Sequence, residues 1–555
     1  MKKVVVRGLK ILIVALVTAV VVTPLRAQQP RPRLIVLLVV DQFRGDYVDK
    51  FQHQWTGGLH RLLTVGARFR QVDYPFFDTV TCAGHATIAT GSLPSTHGMV
   101  MNTWWDRQRQ AEVTCTRDTS TAVVSYGKPV PGYGDSAAAL RTSTLADELR
   151  VQLSPSARLI GFSLKARAAI PLVGRRPDAV AWFDDSGTWV TSTAFSSAPV
   201  PEVAEFIGRH PVENDYGKTW ERTLPSSAYL YEAPAIGVHA SVGKTATFPH
   251  SLRGASNGPD RGFYAQWQSS PYSDEYLSQM ALDVATRMRF GHGDQTDMIA
   301  IGFSALDKVG HDFGPDSHEI QDVLIRLDRT LGVFLAGLDR LVGADNYTVA
   351  LTSDHGVSPI PERMKAAGVD AGRVATVDVT TAIETSLRRT LGQGRYVAGI
   401  VDGEVYLRDD AFDRMRSNPA AGSAVRRSVQ AIPGVLDVYT RDRIEANQFE
   451  DDPIGRRLAR SYDRERSGDM TVVLRPYWLM YVGATTHGSS YGFDTRVPLL
   501  LMGKGIAPGE YLEPASPADV APTLAFLAGV TLPGAQGRVL TEALVRSAPS
   551  VGNSR

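Results

Sequence analysis

The chain has 555 residues, 43% of them hydrophobic and 21% charged, with a formal net charge of +1. This is the composition of an ordinary globular protein, long enough to bury a large core as one domain with insertions or as two domains. A charge so close to zero gives no electrostatic case for nucleic acid or an anionic membrane as a main partner, so any basic site must be local.

Taken in order, the first 27 residues stand apart. Lys2, Lys3, Arg7 and Lys10 precede an apolar run over residues 11–22, and residues 23–27 resemble a small-residue cleavage site. The run is shorter than the ~20 residues a bilayer span needs. Residues 1–27 therefore read as a signal peptide cleaved near Ala27, leaving a periplasmic or secreted chain with no membrane span. Residues 28–545 are expected to form the folded α/β domain, and 546–555 to fray.

Residues 33–40 form a continuous apolar run ending at Asp41. Unbroken runs of this kind read as central parallel strands, buried on both faces. The pattern recurs at 158–163 ahead of Lys165, at 298–303 ahead of Asp307, at 347–352 ahead of Asp354, and at 497–502 into Gly503. Helical patterns at 276–289, 320–341 and 518–528 lie between these runs. The alternation predicts an α/β fold, a doubly wound and largely parallel sheet between helices. In such sheets the site lies beyond the carboxyl ends of the strands. Two regions break the rhythm and are expected as inserted caps. The first, about 168–285, carries a hairpin of 179–183 with 188–191; the second, about 360–475, has short strands at 396–400, 404–407 and 471–474 and an arginine-rich helical stretch at 411–432.

Thr81 opens the short helical pattern Thr-Cys-Ala-Gly-His that runs to His85. Unpaired N–H groups and the positive dipole end of a helix favour an alkoxide and a bound phosphate at that position. A threonine hydroxyl is a poor nucleophile unless a base or a metal activates it. Asp307 and His311 are four residues apart, on one side of a helical turn; Asp354-His355-Gly356 leaves one strand, Asp41 ends another, and His487 lies in a Gly/Ser loop. Carboxylate and imidazole together suit divalent metals, zinc among them. Two groups of ligands suggest two metals ~4 Å apart, one activating the Thr81 oxygen and one stabilising the leaving oxygen. Singly, each piece has an ordinary reading as a helix cap, surface ion pair, turn or loop histidine; the weight comes from their order and spacing as a set. His85 and His97 are expected to be supporting or structural. Cys82 and Cys115 could pair in an oxidising compartment, and no histidine–acid pairing is evident that would make Cys82 a nucleophile.

As a set these residues resemble the alkaline phosphatase superfamily, in the branch that includes nucleotide pyrophosphatase/phosphodiesterases and threonine-nucleophile alkaline phosphatases. The resemblance runs from Leu34 to about Leu544 and includes Asp519-Val-Ala-Pro-Thr-Leu524 with Gly529-Val530. It implies that Thr81 is the nucleophile, that Asp41, Asp354 and His355 hold one zinc together with Thr81, and that Asp307, His311 and His487 hold the other. Diesterases of the branch often read Thr-x-x-Asn-His where this chain has Thr81-Cys-Ala-Gly-His85, a departure that leaves the nucleophile position unaltered.

Monoester and diester chemistry differ in charge. A phosphate monoester carries nearly two negative charges and needs additional cationic donors. Lys165 and Arg167 follow a predicted strand end, where alternate side chains point the same way, and could clamp a dianionic phosphoryl group. Asn102 could add an amide donor. The resemblance supports this, since threonine-type alkaline phosphatases carry a Lys-x-Arg pair and an Asn after the nucleophile helix, whereas the diesterase branch lacks the pair. No acidic residue stands out for the extra magnesium site of serine-type relatives. The expectation is a broad-specificity, two-zinc phosphomonoesterase; its alternative is a phosphodiesterase or nucleotide pyrophosphatase on the same scaffold. It is expected to act as a monomer on small phosphate monoesters. Trp104 and Trp105 could line a leaving-group pocket or simply pack.

Overall fold

The structure is a computed structural model that describes residues 31–240 and 243–545. The expected signal peptide and the tail at 546–555 lie outside the described residues. An eleven-stranded sheet organises the chain. Its strands in chain order are β1 (Leu34–Val40), β2 (Ala67–Phe69), β3 (Arg117–Ser125), β4 (Tyr133–Asp135), β5 (Leu159–Ser163) and β6 (Ala179–Asp184). They continue with β7 (Thr188–Ser192), β8 (Asp297–Phe303), β9 (Tyr347–Thr352), β10 (Leu499–Gly503) and β11 (Gly509–Tyr511). The order across the sheet is β11-β2-β10-β9-β1-β8-β5-β6-β7-β3-β4. The five central strands, β9-β1-β8-β5-β6, are parallel.

All seven residues of β1 are buried, and their alternation feeds two separate cores. Leu34, Val36, Leu38 and Val40 face one core, covered by α3 (Pro271–Arg287) and α5 (His318–Val342); Ile35, Leu37 and Val39 face the other, covered by α1 (Thr81–Thr90), α2 (Ala166–Val173) and α6 (Val520–Ala528). A strand sandwiched this way has no solvent face, which is why its sequence shows no polar alternation.

Three expectations are corrected. Strand β10 is not one of the parallel strands but runs antiparallel to β9, so the sheet is mixed at its flanks; burial on both faces leaves the same apolar signature whichever way a strand runs. The hairpin within 168–285 does not belong to a cap: β6 pairs parallel with β5, and β7 carries the main sheet onward. Trp182, Phe183 and Trp189 bury in the sheet's own cores, and α2 and α3 also pack there. The helical stretch 411–432 is two helices, Ala411–Arg416 and Pro419–Gln430, because Pro419 cannot continue a helix and holds Asn418 extended (φ −122°, ψ 90°). The second irregular region builds a separate four-stranded sheet, Val397–Val401, Glu404–Leu407, Met470–Leu474 and Val435–Thr440, with a core of its own.

Candidate active site

The sheet register levels the strand ends. Val40 pairs with Phe303, Val39 with Thr352, and Gly302 with Ser163, so β1, β5, β8 and β9 finish within a residue of one another. Asp41, Lys165, Asp307 and Asp354 follow those ends, and the shared edge brings them together. β1 lies at the centre, with β8 on one side and β9 on the other, which is the switch point where ligands bind in open α/β sheets.

Two groups of donors form there. Helix α4 (Ala305–Phe313) sets Asp307 and His311 one turn apart, with His311 Nε2 3.2 Å from Asp307 Oδ1; His487 Nε2 lies 3.7 Å from the same oxygen. In the second group, donor atoms of Asp41, His85 and Asp354 lie within 4.8 Å of one another. His355 borders this group, its Nε2 3.1 Å from Asp354 Oδ2, and its ring stacks on that of His487 at 3.4 Å. His85 therefore stands among the carboxylates, closer in than its expected supporting place.

Thr81 is the first residue of α1 and is 1% exposed. Its helix can reach the second group because residue 84 is glycine: a Cβ there would lie 2.3 Å from the Asp354 carbonyl oxygen. His487 is tied to the same segment, its Nδ1–H donating to Thr79 O at 2.9 Å. Asn102 is held from both sides of the Cys82–Cys115 disulfide: Cys82 N–H donates to its Oδ1 at 2.9 Å and Cys115 N–H to its carbonyl at 3.0 Å. The amide oxygen is thus committed to the helix, which turns the NH₂ group the other way. The disulfide also removes Cys82 as a nucleophile. Trp104 packs in the small core around that disulfide, beneath the Arg466 guanidinium, and Trp105 packs against it.

Lys165 and Arg167 do not share one extended segment: Lys165 is extended, but the chain is helical from Ala166. Lys165 caps α2 and Arg167 lies in the first helical turn, so strand alternation does not align them. Lys165 is 7% exposed, and its ammonium sits 2.5 Å from Asp41 Oδ2 and 2.5 Å from Asp307 Oδ2, between the two donor groups. The Arg167 Nε is buried without a hydrogen-bond partner. Lys308 shares this positive field: burial, then Lys165 and Arg167, push it down to about 8.

Burial raises Asp41, and the neighbouring Asp354 carboxylate raises it further. Burial also opposes ionisation of Asp307 and Asp354, but Lys165 and His311 outweigh it for Asp307, as His355 and His85 do for Asp354, and both end well below the usual carboxylate range. The donor set fits divalent cations on three counts. Three buried carboxylates face one ammonium. Asp41 Oδ1, Asp354 Oδ2, His85 Nε2 and His355 Nε2 are buried with no hydrogen-bond partner. And His311, His355 and His487 each place Nδ1 2.9 Å from a backbone carbonyl, of Thr485, Gly356 and Thr79 respectively, which fixes the tautomer that offers Nε2.

Sequence reading missed two supports of this site. Asp494 accepts from Ser489 N–H at 2.9 Å while its carbonyl accepts from Gly356 N–H at 2.6 Å, joining the His487 loop to the Asp-His-Gly turn. Gln42 touches both donor groups. A serine-rich loop before a buried acid was the only signal for Asp494, and Gln42 offered none.

His97 keeps its structural reading. Met99 N–H donates to its Nδ1 at 3.1 Å and its Nε2 lies 3.0 Å from Thr87 Oγ1, an arrangement that requires the neutral ring. Burial, reinforced by Arg466, pushes it down to about 3. The unfolded chain then binds the extra proton between pH ~6.5 and that value, so this contribution to stability is complete above pH ~6.5 and is lost on acidification at about 1.4 kcal/mol per pH unit. Urea unfolding between pH 4 and 7 is expected to show a shallower acid limb for His97→Gln than for the native chain; identical limbs would count against the neutral buried ring.

A mixed sheet of this order, with its site at the carboxyl edge, is the α/β fold of alkaline phosphatases and nucleotide pyrophosphatases. The chain belongs to the type I phosphodiesterase / nucleotide pyrophosphatase family, whose model matches residues 35–494. It is 31% identical to alkaline phosphatase PafA of Elizabethkingia meningoseptica over 93% of this chain and 95% of that protein. It is 29% identical to alkaline phosphatase PhoV of Synechococcus elongatus over 93% of each. The crystal structure of PafA superposes with a TM-score of 0.85, covering 93% of this chain and 99% of that one.

Proposed function

We propose that this chain is an exported, two-zinc phosphate monoester hydrolase of broad specificity that acts through a phosphothreonine at Thr81. Its kinship with alkaline phosphatases over nearly its whole length supports monoester hydrolysis. The observation that carries the mechanism is the meeting of two imidazole–carboxylate groups beside a buried threonine at a helix N-terminus. Residues 28–545 would act as one α/β domain, monomeric, with the four-stranded sheet as an inserted cap. The signal-like sequence at 1–27 and the disulfide both suit an oxidising compartment.

Asp41, Asp354 and His355, with Thr81, would hold one zinc, and Asp307, His311 and His487 the other; His85 would back the first group. When bound, the metals would supply Lewis acidity, lowering the pKa of a ligated oxygen and offsetting charge on the leaving oxygen. Thr81 Oγ attacks phosphorus in line, forming the P–O bond to threonine as the bond to the leaving alkoxide breaks. Water then attacks the phosphothreonine from the vacated side, returning the Thr81 oxygen and releasing phosphate. The α1 N-terminus and the Asn102 amide donate to the equatorial oxygens. Lys165 has three ammonium donors, and its contacts to Asp41 and Asp307 leave a third for the phosphoryl group. Arg167 brings a fork that matches two phosphoryl oxygens.

The test compares kcat/KM for an aryl monophosphate and its methyl diester. The monoester is expected to be preferred, and a diester preference would establish the phosphodiesterase alternative. Lys165→Ala and Arg167→Ala should each cost the monoester about 1.5–3 kcal/mol, roughly 10–150-fold, and the diester much less. Equal losses on both substrates would remove the clamp from the account.

A further inference from the structure

Gln42 is the second residue past the end of β1, after Asp41; it is fully buried and has φ +67°, a left-handed backbone that residues other than glycine rarely adopt. Its N–H donates to Asp354 Oδ1 at 3.1 Å and its side-chain NH₂ to Asp307 Oδ1 at 2.8 Å. One residue therefore holds a carboxylate from each donor group. The Asp307 oxygen it grips is the one facing His311 and His487, while the other oxygen is held by Lys165. The opposite end of the amide, Oε1, is buried with no hydrogen-bond partner and lies 1.7 Å from where a Cβ on residue 310 would stand. Gly310 sits inside α4, where glycine weakens a helix. A strained backbone, an unpaired amide oxygen and a helix-weakening glycine meet at a single contact. Strain retained in this way marks a position whose geometry is used.

We infer that Gln42 is a positioning residue that sets the two metal-ligand groups relative to each other, and that Gly310 is glycine to admit its amide. The inference rests on the two-zinc reading above. The left-handed backbone aims the N–H at Asp354 while the side chain crosses to Asp307, so the spacing of the groups passes through one rigid residue.

The experiment measures zinc affinity by chelator competition, alongside kcat, KM and the melting temperature of the zinc-free protein. Gln42→Gly keeps the N–H contact and relieves φ but deletes the amide; Gln42→Met keeps the side-chain length without the donor; Gly310→Ala pushes the amide aside. All three are expected to weaken the weaker of two zinc sites by about 10–100-fold, and to lower kcat at saturating zinc with little change in KM. The zinc-free Gln42→Gly protein should melt no lower than the native chain, which loss of mere packing would not allow. Adding Gly310→Ala to Gln42→Gly should cost nothing further, because the clashing atom is gone. Native zinc affinity in both Gln42 variants, or additive losses in the double variant, would overturn the positioning role while leaving the two-zinc reading intact. A native chain that takes up no zinc would overturn that reading, and this inference with it.

Discussion

Replacing Thr81 by alanine is expected to lower kcat/KM for an aryl monophosphate by roughly 10³-fold or more, the scale seen when a covalent nucleophile is removed. Alanine is smaller and a better helix former than threonine, and Thr81 begins α1 rather than filling its middle, so the fold should survive. The remaining groups would still bind the phosphoryl group, which makes KM a poor guide and kcat the informative quantity. Thr81→Ser keeps the attacking oxygen and should retain most of the turnover. Acid quenching of the native enzyme with labelled substrate should leave phosphate on Thr81 and on no other residue. Near-native turnover by the folded, zinc-loaded alanine variant would end the covalent mechanism.

Stripping metal with a chelator is expected to abolish turnover, by roughly 10³-fold or more, given how much charge stabilisation bound metal supplies. Zinc should restore it and magnesium should not, because imidazole donors suit zinc and magnesium prefers an all-oxygen shell. The stripped protein should also be less stable, since Asp41 and Asp354 then press on one another in a buried site. Excess zinc at about a thousand times its Kd would contribute about 4 kcal/mol of stability per site. The pH dependence has a definite sign. Burial opposes a charged ring at His355, yet Asp354 more than offsets it, so without metal His355 is raised to about 9. A ligand nitrogen must be free of its proton, so zinc affinity should climb with pH and level off near that value. Calorimetry in buffers of different ionisation enthalpy would count the proton released; restoration by magnesium alone, or binding without proton release below pH 8, would contradict this donor assignment.

Much of this was legible in the chain itself. Residues 33–40 read as a central strand because a segment buried on both faces has no polar positions, and the residues that follow such strands are those the sheet presents at its carboxyl edge. Asp41, Asp307 and Asp354 stood out by that rule, and Asp307 with His311 by helical spacing. Strand direction was not legible for β10, because an apolar run reads alike in both senses, nor was the place of β6 and β7, whose aromatic residues suit a cap as well as a sheet. The Lys165–Arg167 pair was recognised, but its local geometry was taken as a strand where the chain turns into a helix.

The order of strands and helices and the chemical types available at the strand ends were thus determined by the sequence alone, since periodicity and residue type are local properties. Which atoms meet was decided only in three dimensions. The Lys165 ammonium between Asp41 and Asp307, the contact of Gln42 with Asp354 across 312 residues, and the joining of Cys82 to Cys115 all depend on register and packing. Contacts between distant segments are set by how strands align and how closely helices approach, as Gly84 and Gly310 each allow, and no local pattern encodes those distances.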